Sequence, residues 1–199
     1  MFVQVIKGRT NDAAALRARG DGWRDEVRPG ATGYLGGTFG IAEDGTFLIL
    51  ARFADEAAAK ANSERPEQSA WWEGTASLID GEATFRESSD VATMFDGGSD
   101  QATFVQVMEG KVADRAKAEA FETPEMEAQL HAARPDLLGS VRVWFPDDSF
   151  VEAAYFTSED DARKGEASPD FAGPQEEYMA LFGDMTFLDL RDPQMTGPA

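Results

Sequence analysis

The chain contains one short pattern twice, about half its length apart. Residues 2–8 read Phe-Val-Gln-Val-Ile-Lys-Gly, and residues 104–110 read Phe-Val-Gln-Val-Met-Glu-Gly. A period this long is typical of a duplicated domain, since the repeats of solenoid proteins span only ~20–50 residues. Further pairs recur in the same order: Arg28-Pro29 with Arg134-Pro135, Gly33 with Gly139, Ala51-Arg52-Phe53 with Ala154-Tyr155-Phe156, and Thr84-Phe85 with Thr186-Phe187.

Hydrophobic patterning predicts the same order of elements in both halves: strand, helix, strand, strand, helix, strand. This order folds into a four-stranded antiparallel sheet with helices on one face, the ferredoxin-like plan. The expected fold class is therefore α+β. The predicted strands are residues 2–7, 34–41, 46–53 and 83–87 in the first half, and 104–108, 140–145, 149–156 and 185–190 in the second.

The domain organisation follows from the repeat. We expect a first ferredoxin-like repeat over 1–89, a linker over 90–101 that includes Gly97-Gly98-Ser99, a second repeat over 102–191, and a flexible tail over 192–199. Pro169 and Pro174 are predicted to break up the last helix.

The helix-free face of each sheet needs a cover. Along the first strand Phe2, Gln4 and Ile6 point one way and Val3 and Val5 the other, and both sets are largely apolar, so both faces are expected to be buried. The simplest cover is the matching face of the other repeat. Two sheets meeting in this way would form an intramolecular pseudo-dimeric α+β barrel, in a monomer with an internal pseudo-dimer or in a weak homodimer.

The order of elements, the length of each half and the strand-to-helix junction Phe53-Ala54-Asp55-Glu56-Ala57-Ala58 resemble the dimeric α+β barrel superfamily. Its antibiotic biosynthesis monooxygenase-like domains are the most similar branch, here as a tandem duplication. The resemblance implies cofactor-independent monooxygenase-like activity. The superfamily also includes haem-degrading enzymes, isomerases and proteins without known chemistry, so fold alone leaves the activity open.

Composition excludes several classes of function. The formal net charge of −19, without a basic stripe, argues against nucleic acids and anionic membranes as partners. The absence of Cys excludes disulfides, thiolate catalysis and Cys-ligated metals. His131 is the single histidine and ends a predicted helix, so we expect no cofactor and no metal. The N-terminus enters a strand pattern directly, and we expect a soluble cytoplasmic protein.

The densest polar and aromatic signal is residues 62–68 followed by two adjacent tryptophans. Asn62, Trp71 and Trp72 are candidates for lining a ligand pocket. Neighbours on a helix lie ~100° apart, so one indole can pack in the core while the other borders a pocket. The alternative is a junction between helices held by aromatic packing.

Gln4 and Gln106 occupy the same position in the two repeats, among apolar residues of one strand face. A buried amide needs hydrogen-bond partners. If pseudo-symmetry brings the two together inside the barrel, they form a mutually hydrogen-bonded structural pair; the alternative is that they contact a ligand.

The second hairpin carries a charged pair where the first has an apolar one. With the loop at Pro146-Asp147-Asp148, Arg142 is predicted to lie opposite Glu152, whereas Phe39 lies opposite Ile49. Burying such a pair is costly unless it is well hydrogen-bonded. The pair is either a polar site gained after duplication or a salt bridge at the rim; a position on opposite faces or in solvent would exclude the first.

Three kinds of function remain open, and the sequence does not decide whether the protein is an enzyme. The first is a cofactor-independent oxidative enzyme acting on a small apolar or aromatic molecule. The second is a non-catalytic ligand-binding or sensor module that uses the same cavity. The third is a protein that acts through surface contacts and has a filled interior.

Overall fold

Two five-stranded antiparallel sheets organise the part of the chain described by the computed structural model, which covers residues 1–95, 97–168, 178 and 180–199. The predicted breaks at Pro169 and Pro174 lie outside the described residues. Contacts divide the chain into a first unit, residues 1–91 and 192–199, and a second unit, residues 92–191.

The first unit follows the ferredoxin-like order. Asp12 and Asp55 cap the first two helices by accepting hydrogen bonds from the N–H groups of Ala15 and Ala58, and Pro66 begins the third. Trp23–Val27 extend the first helix as a π-helical turn. The elements are β1 (Phe2–Arg9), α1 (Ala13–Gly22), β2 (Tyr34–Ile41), β3 (Thr46–Phe53), α2 (Glu56–Ser63), α3 (Pro66–Ala76) and β4 (Thr84–Ser88).

The second unit repeats this plan, which confirms the predicted α+β class with two ferredoxin-like repeats. Ser158 caps the sixth helix by accepting a hydrogen bond from the N–H of Asp161. The elements are β5 (Val91–Met94), β6 (Phe104–Lys111), α4 (Arg115–Phe121), α5 (Pro124–Ala133), β7 (Leu137–Trp144), β8 (Ser149–Phe156), α6 (Glu159–Glu166) and β9 (Met185–Arg191).

Each sheet has a fifth strand that the sequence did not predict. The predicted linker contains β5, which lies beside β7 in the order β5-β7-β8-β6-β9. The predicted flexible tail contains β10 (Gln194–Thr196), which pairs with β2 in the order β10-β2-β3-β1-β4. Pairing satisfies backbone groups that the edges of β2 and β7 would otherwise leave open.

Both faces of β1 are shielded from solvent, as its apolar alternation predicts. Phe2 on one face and Val3 and Val5 on the other are buried. Phe2 packs with Tyr34 and Phe53 on the face that carries the helices. In the described part of the chain, no helix is both long and apolar enough to cross a membrane.

Candidate functional site: a cavity in the second repeat

A cavity of about 410 Å³ lies between the second sheet and the helices that cover it. Typical small-molecule sites have volumes of ~300–1,000 Å³, so the space is large enough for a ligand. Three methionines, Met94, Met108 and Met126, line it, and their flexible thioethers adapt to the shape of an apolar guest. The other apolar lining residues are Phe121, Leu130, Leu137, Ala154, Phe156 and Phe187.

A buried ion pair adjoins this cavity. Arg142 on β7 lies directly opposite Glu152 on β8, which confirms the predicted register. Arg142 is 2% and Glu152 3% exposed, and Nε and Nη2 of Arg142 donate to Oε2 of Glu152 over 2.9 and 2.7 Å. The two side chains therefore share a face, and the alternative of a solvated salt bridge at the rim is wrong.

Two residues that the sequence analysis did not select complete the polar cluster. The hydroxyl of Tyr178 donates to Oε2 of Glu152 over 2.9 Å and accepts from Nη2 of Arg142 over 3.0 Å. On the other side, Nη1 of Arg142 lies 2.6 Å from Oε1 of Glu122.

Aromatic rings stabilise the buried guanidinium. The carbon Cζ of Arg142 lies 4.5 Å from the centroid of Phe182 and 5.5 Å from that of Trp144. Tyr178 stacks on Phe182 with the ring centroids 4.2 Å apart. Ring faces attract a desolvated cation, so these contacts offset part of the cost of burying Arg142.

The cluster shifts its two carboxylates in opposite directions. Burial opposes the ionisation of Glu152, but the charge of Arg142 and hydrogen bonds from Ser140, Arg142 and Tyr178 outweigh it, so the pKa of Glu152 lies below its ordinary value. For Glu122 burial dominates and raises the pKa, although Arg142 pulls it down. Burial, with the charge of Glu152, raises the pKa of Tyr178 well above the ordinary value.

A Glu122→Gln variant should therefore lose less stability than the parent as pH rises. A carboxyl with a raised pKa in the folded state costs stability as pH climbs from its ordinary value of 4.5 toward the folded pKa. Glu152 has the opposite effect, because the stability that its ionised form contributes is lost as pH falls below the ordinary range of its pKa. The parent and the Glu122→Gln variant share that loss. Urea unfolding from pH 4 to 8 measures the free energy of unfolding of both proteins. The difference between Glu122→Gln and the parent should grow above about pH 4.5 and then level off. Exposed Glu125→Gln is the control, and equal gaps for the two variants would contradict the prediction.

The cavity has further polar lining residues, and their charges are paired. Nε2 of Gln106 donates to Oδ1 of Asp189 over 3.1 Å, and Arg163 binds the same Asp189. Arg163 also donates to Glu166 over 3.3 Å. Arg134 forms an ion pair of 2.7 Å with Asp136. With the Arg142–Glu152 pair included, each charged side chain in the described lining of the cavity is paired with a side chain of opposite charge in the same repeat.

The two repeated glutamines do not form the mutual pair that the sequence suggested. Nε2 of Gln4 donates to Oε1 of Glu87 over 2.6 Å, which matches the bond from Gln106 to Asp189. In both repeats the carboxylate lies directly opposite the glutamine on the neighbouring edge strand. The register therefore gives each amide a partner in its own sheet, on the face that carries the helices.

The other sequence candidates lie in the first repeat, around a much smaller cavity of about 90 Å³. Gln4, Asn62, Trp71 and Trp72 all line it. Nδ2 of Asn62 donates to Gln68 over 3.3 Å, and Nε1 of Trp71 donates to the carbonyl oxygen of Arg19 over 2.8 Å. The indoles of Trp71 and Trp72 lie 6.0 Å apart. These contacts fit the alternative of a helix junction held by aromatic packing.

Comparisons with known proteins establish the fold. No family model and no curated protein matches the sequence. A protein from Lactobacillus acidophilus, provisionally named a monooxygenase, superposes with a TM-score of 0.74 at 16% identity, over 98% of this chain and 96% of its own. A second protein, from Fusobacterium nucleatum and similarly named, superposes with a TM-score of 0.77 at 10% identity, over 98% of this chain and 94% of its own.

A third solved structure, of an anthrone oxidase-like protein, superposes with a TM-score of 0.62 at 10% identity, over 98% of this chain and 93% of its own. The chain thus has the fold of proteins named as monooxygenases along its full length. The resemblance to antibiotic biosynthesis monooxygenase-like proteins is confirmed at the level of the fold.

Proposed function

We propose that the second repeat binds a small, neutral, mostly apolar molecule that contains rings. The observation that carries this proposal is a cavity of about 410 Å³ whose described charged side chains are already paired. An ionic ligand would have to compete with those pairs or place an unpaired charge against the apolar lining, which is costly. A neutral ligand needs neither, and the methionine and aromatic lining supplies apolar contacts.

The polar residues of the cavity divide into one that contacts the ligand, Gln106, and a pair that shapes the wall, Arg142 and Glu152. Gln106 contacts the ligand directly, because it lines the cavity and Asp189 is its only partner among the described residues. Glu152 also lines the cavity, but its Oε2 already accepts from Arg142 and Tyr178. Arg142 acts as a positioning residue that holds Glu152 in place.

Oxygenation of such a ligand is the second candidate, favoured by the names of the proteins that share the fold. The chemistry would convert a CH₂ group between rings, with one O₂, into a carbonyl group and one water. Such a reaction begins when a base removes a proton from the substrate. The lowered pKa of Glu152 makes it a weak base, so binding has the stronger support.

A fluorescence titration with N-phenyl-1-naphthylamine, a neutral aromatic probe, tests the proposal. We expect saturable binding with a blue-shifted emission. Ala154→Phe, which places a ring in the cavity, should weaken binding at least tenfold, and Met108→Trp is a second filling variant in case the first does not fold. The absence of saturable binding, or equal affinity in a folded filling variant, would refute the proposal.

An oxygen electrode separates the two candidates. Anthrone is the probe, with one O₂ consumed per anthrone oxidised to the quinone if the protein is an oxygenase. Binding without consumption above the protein-free rate would support the non-catalytic function.

A further inference from the structure

Strand register fixes which residues of the two repeats correspond. In the first sheet Ala51 lies between Gln4 and Gly37, and in the second Ala154 lies between Gln106 and Ser140. Ala51 lines the first cavity and Ala154 the second. The two cavities are therefore equivalent places in the duplicated fold, and any difference between them comes from the surrounding side chains.

The cavities differ more than fourfold in volume, about 90 Å³ against about 410 Å³. The smaller value lies well below the range of known small-molecule sites. Three of the four tryptophans, Trp23, Trp71 and Trp72, line the first cavity, and none lines the second in the described part of the chain. Indole rings therefore occupy the equivalent space in the first repeat.

The tryptophans of the first repeat are fixed in place by their own contacts. Nε1 of Trp23 donates to Oε1 of Gln68 over 2.7 Å, and its ring meets Tyr34 edge to face at 5.0 Å. Trp72 packs against Phe85 at 5.1 Å. Indole N–H groups with partners, and rings in edge contacts, hold these half-buried side chains in place. A ligand would have to displace this aromatic cluster in order to enter.

The wall chemistry also differs at equivalent positions. Arg142 and Glu152 replace Phe39 and Ile49, so the polar cluster exists only in the second repeat. The hydroxyl of Ser140 replaces the bare backbone of Gly37, where a Cβ atom would lie 2.4 Å from the hydroxyl oxygen of Tyr34. The first repeat has neither the space nor the polar groups of the second.

We infer that each chain holds one ligand, in the second repeat, and that the tryptophans of the first repeat have converted the equivalent cavity into a structural core. This inference rests on the proposed function. It assigns Trp71 and Trp72 to packing, and it makes Arg142, Glu152 and Ser140 the residues that distinguish the binding repeat from its copy.

The stoichiometry of N-phenyl-1-naphthylamine binding tests the inference, and the unsubstituted protein suffices for the first result. At protein concentrations well above the dissociation constant, we expect saturation at one equivalent per chain. Ala154→Phe should remove that equivalent, whereas Ala51→Phe, the matched change in the first repeat, should retain it with an affinity within about twofold. Circular dichroism and a urea midpoint establish that each variant is folded.

The outcomes separate the two proposals. Saturation at two equivalents per chain would overturn the inference. So would a single equivalent that Ala51→Phe abolishes and Ala154→Phe retains. In both cases a binding function survives. No binding by the unsubstituted protein overturns the proposed function, and the inference with it.

Discussion

Arg142→Ala is expected to lower the free energy of unfolding by about 3–5 kcal/mol, because it leaves Glu152 buried without its counter-charge. Glu152 is 3% exposed and would lose the two hydrogen bonds that Arg142 donates. Tyr178 would also lose a donor. Urea unfolding at pH 7, followed by far-UV circular dichroism, measures the change.

The first repeat supplies the control. Phe39 and Ile49 occupy the positions equivalent to Arg142 and Glu152, and they form an apolar cross-strand pair. The triple variant Arg142→Phe, Glu152→Ile, Tyr178→Phe removes both charges of the pair and the hydroxyl that contacts them, and leaves Glu122 as the carboxyl of the cluster without its counter-charge. It should regain part of the loss. A cost below about 1 kcal/mol for Arg142→Ala, or a triple variant less stable than the single one, would contradict this account.

Phe182→Ala is expected to destabilise the second repeat by a similar amount, about 3–5 kcal/mol. Phe182 is 0% exposed and packs between the rings of Trp144, Phe150 and Tyr178. Its removal leaves a void and also takes away the ring nearest to the guanidinium of Arg142. Thermal unfolding should show a clearly lower midpoint.

Phe187→Ala is the matched control, since this ring is 50% exposed. An exposed substitution typically changes stability by less than about 0.5 kcal/mol. Equal losses for the two variants would show that Phe182 does not have the central packing role assigned to it here.

The sequence predicted those features that short-range rules determine. A duplicated pattern implies duplicated elements, and a hairpin loop fixes the register of its strands, so the pairing of Arg142 with Glu152 follows from the sequence.

Other features depend on long-range packing and left no such signal. Tyr178 reaches Glu152 across 26 positions of the chain, and nothing in the local pattern around it indicates that partner. The strands β5 and β10 are three or four residues long, too short for alternation to mark them. Ligand space is set by the combined side-chain volumes of several elements, so the difference between the two cavities could not be predicted from residue types.

An NMR titration of protein carrying ¹³C-methyl methionine tests whether the second repeat binds a ligand. Met94, Met108 and Met126 line the cavity of the second repeat, and Met195 lies in β10 of the first unit as an internal control. On addition of N-phenyl-1-naphthylamine, we expect saturable shifts of the three cavity methyl signals, while the signal of Met195 stays in place. Shifts confined to Met195, or no shift at saturating probe, would contradict a ligand site in the second repeat.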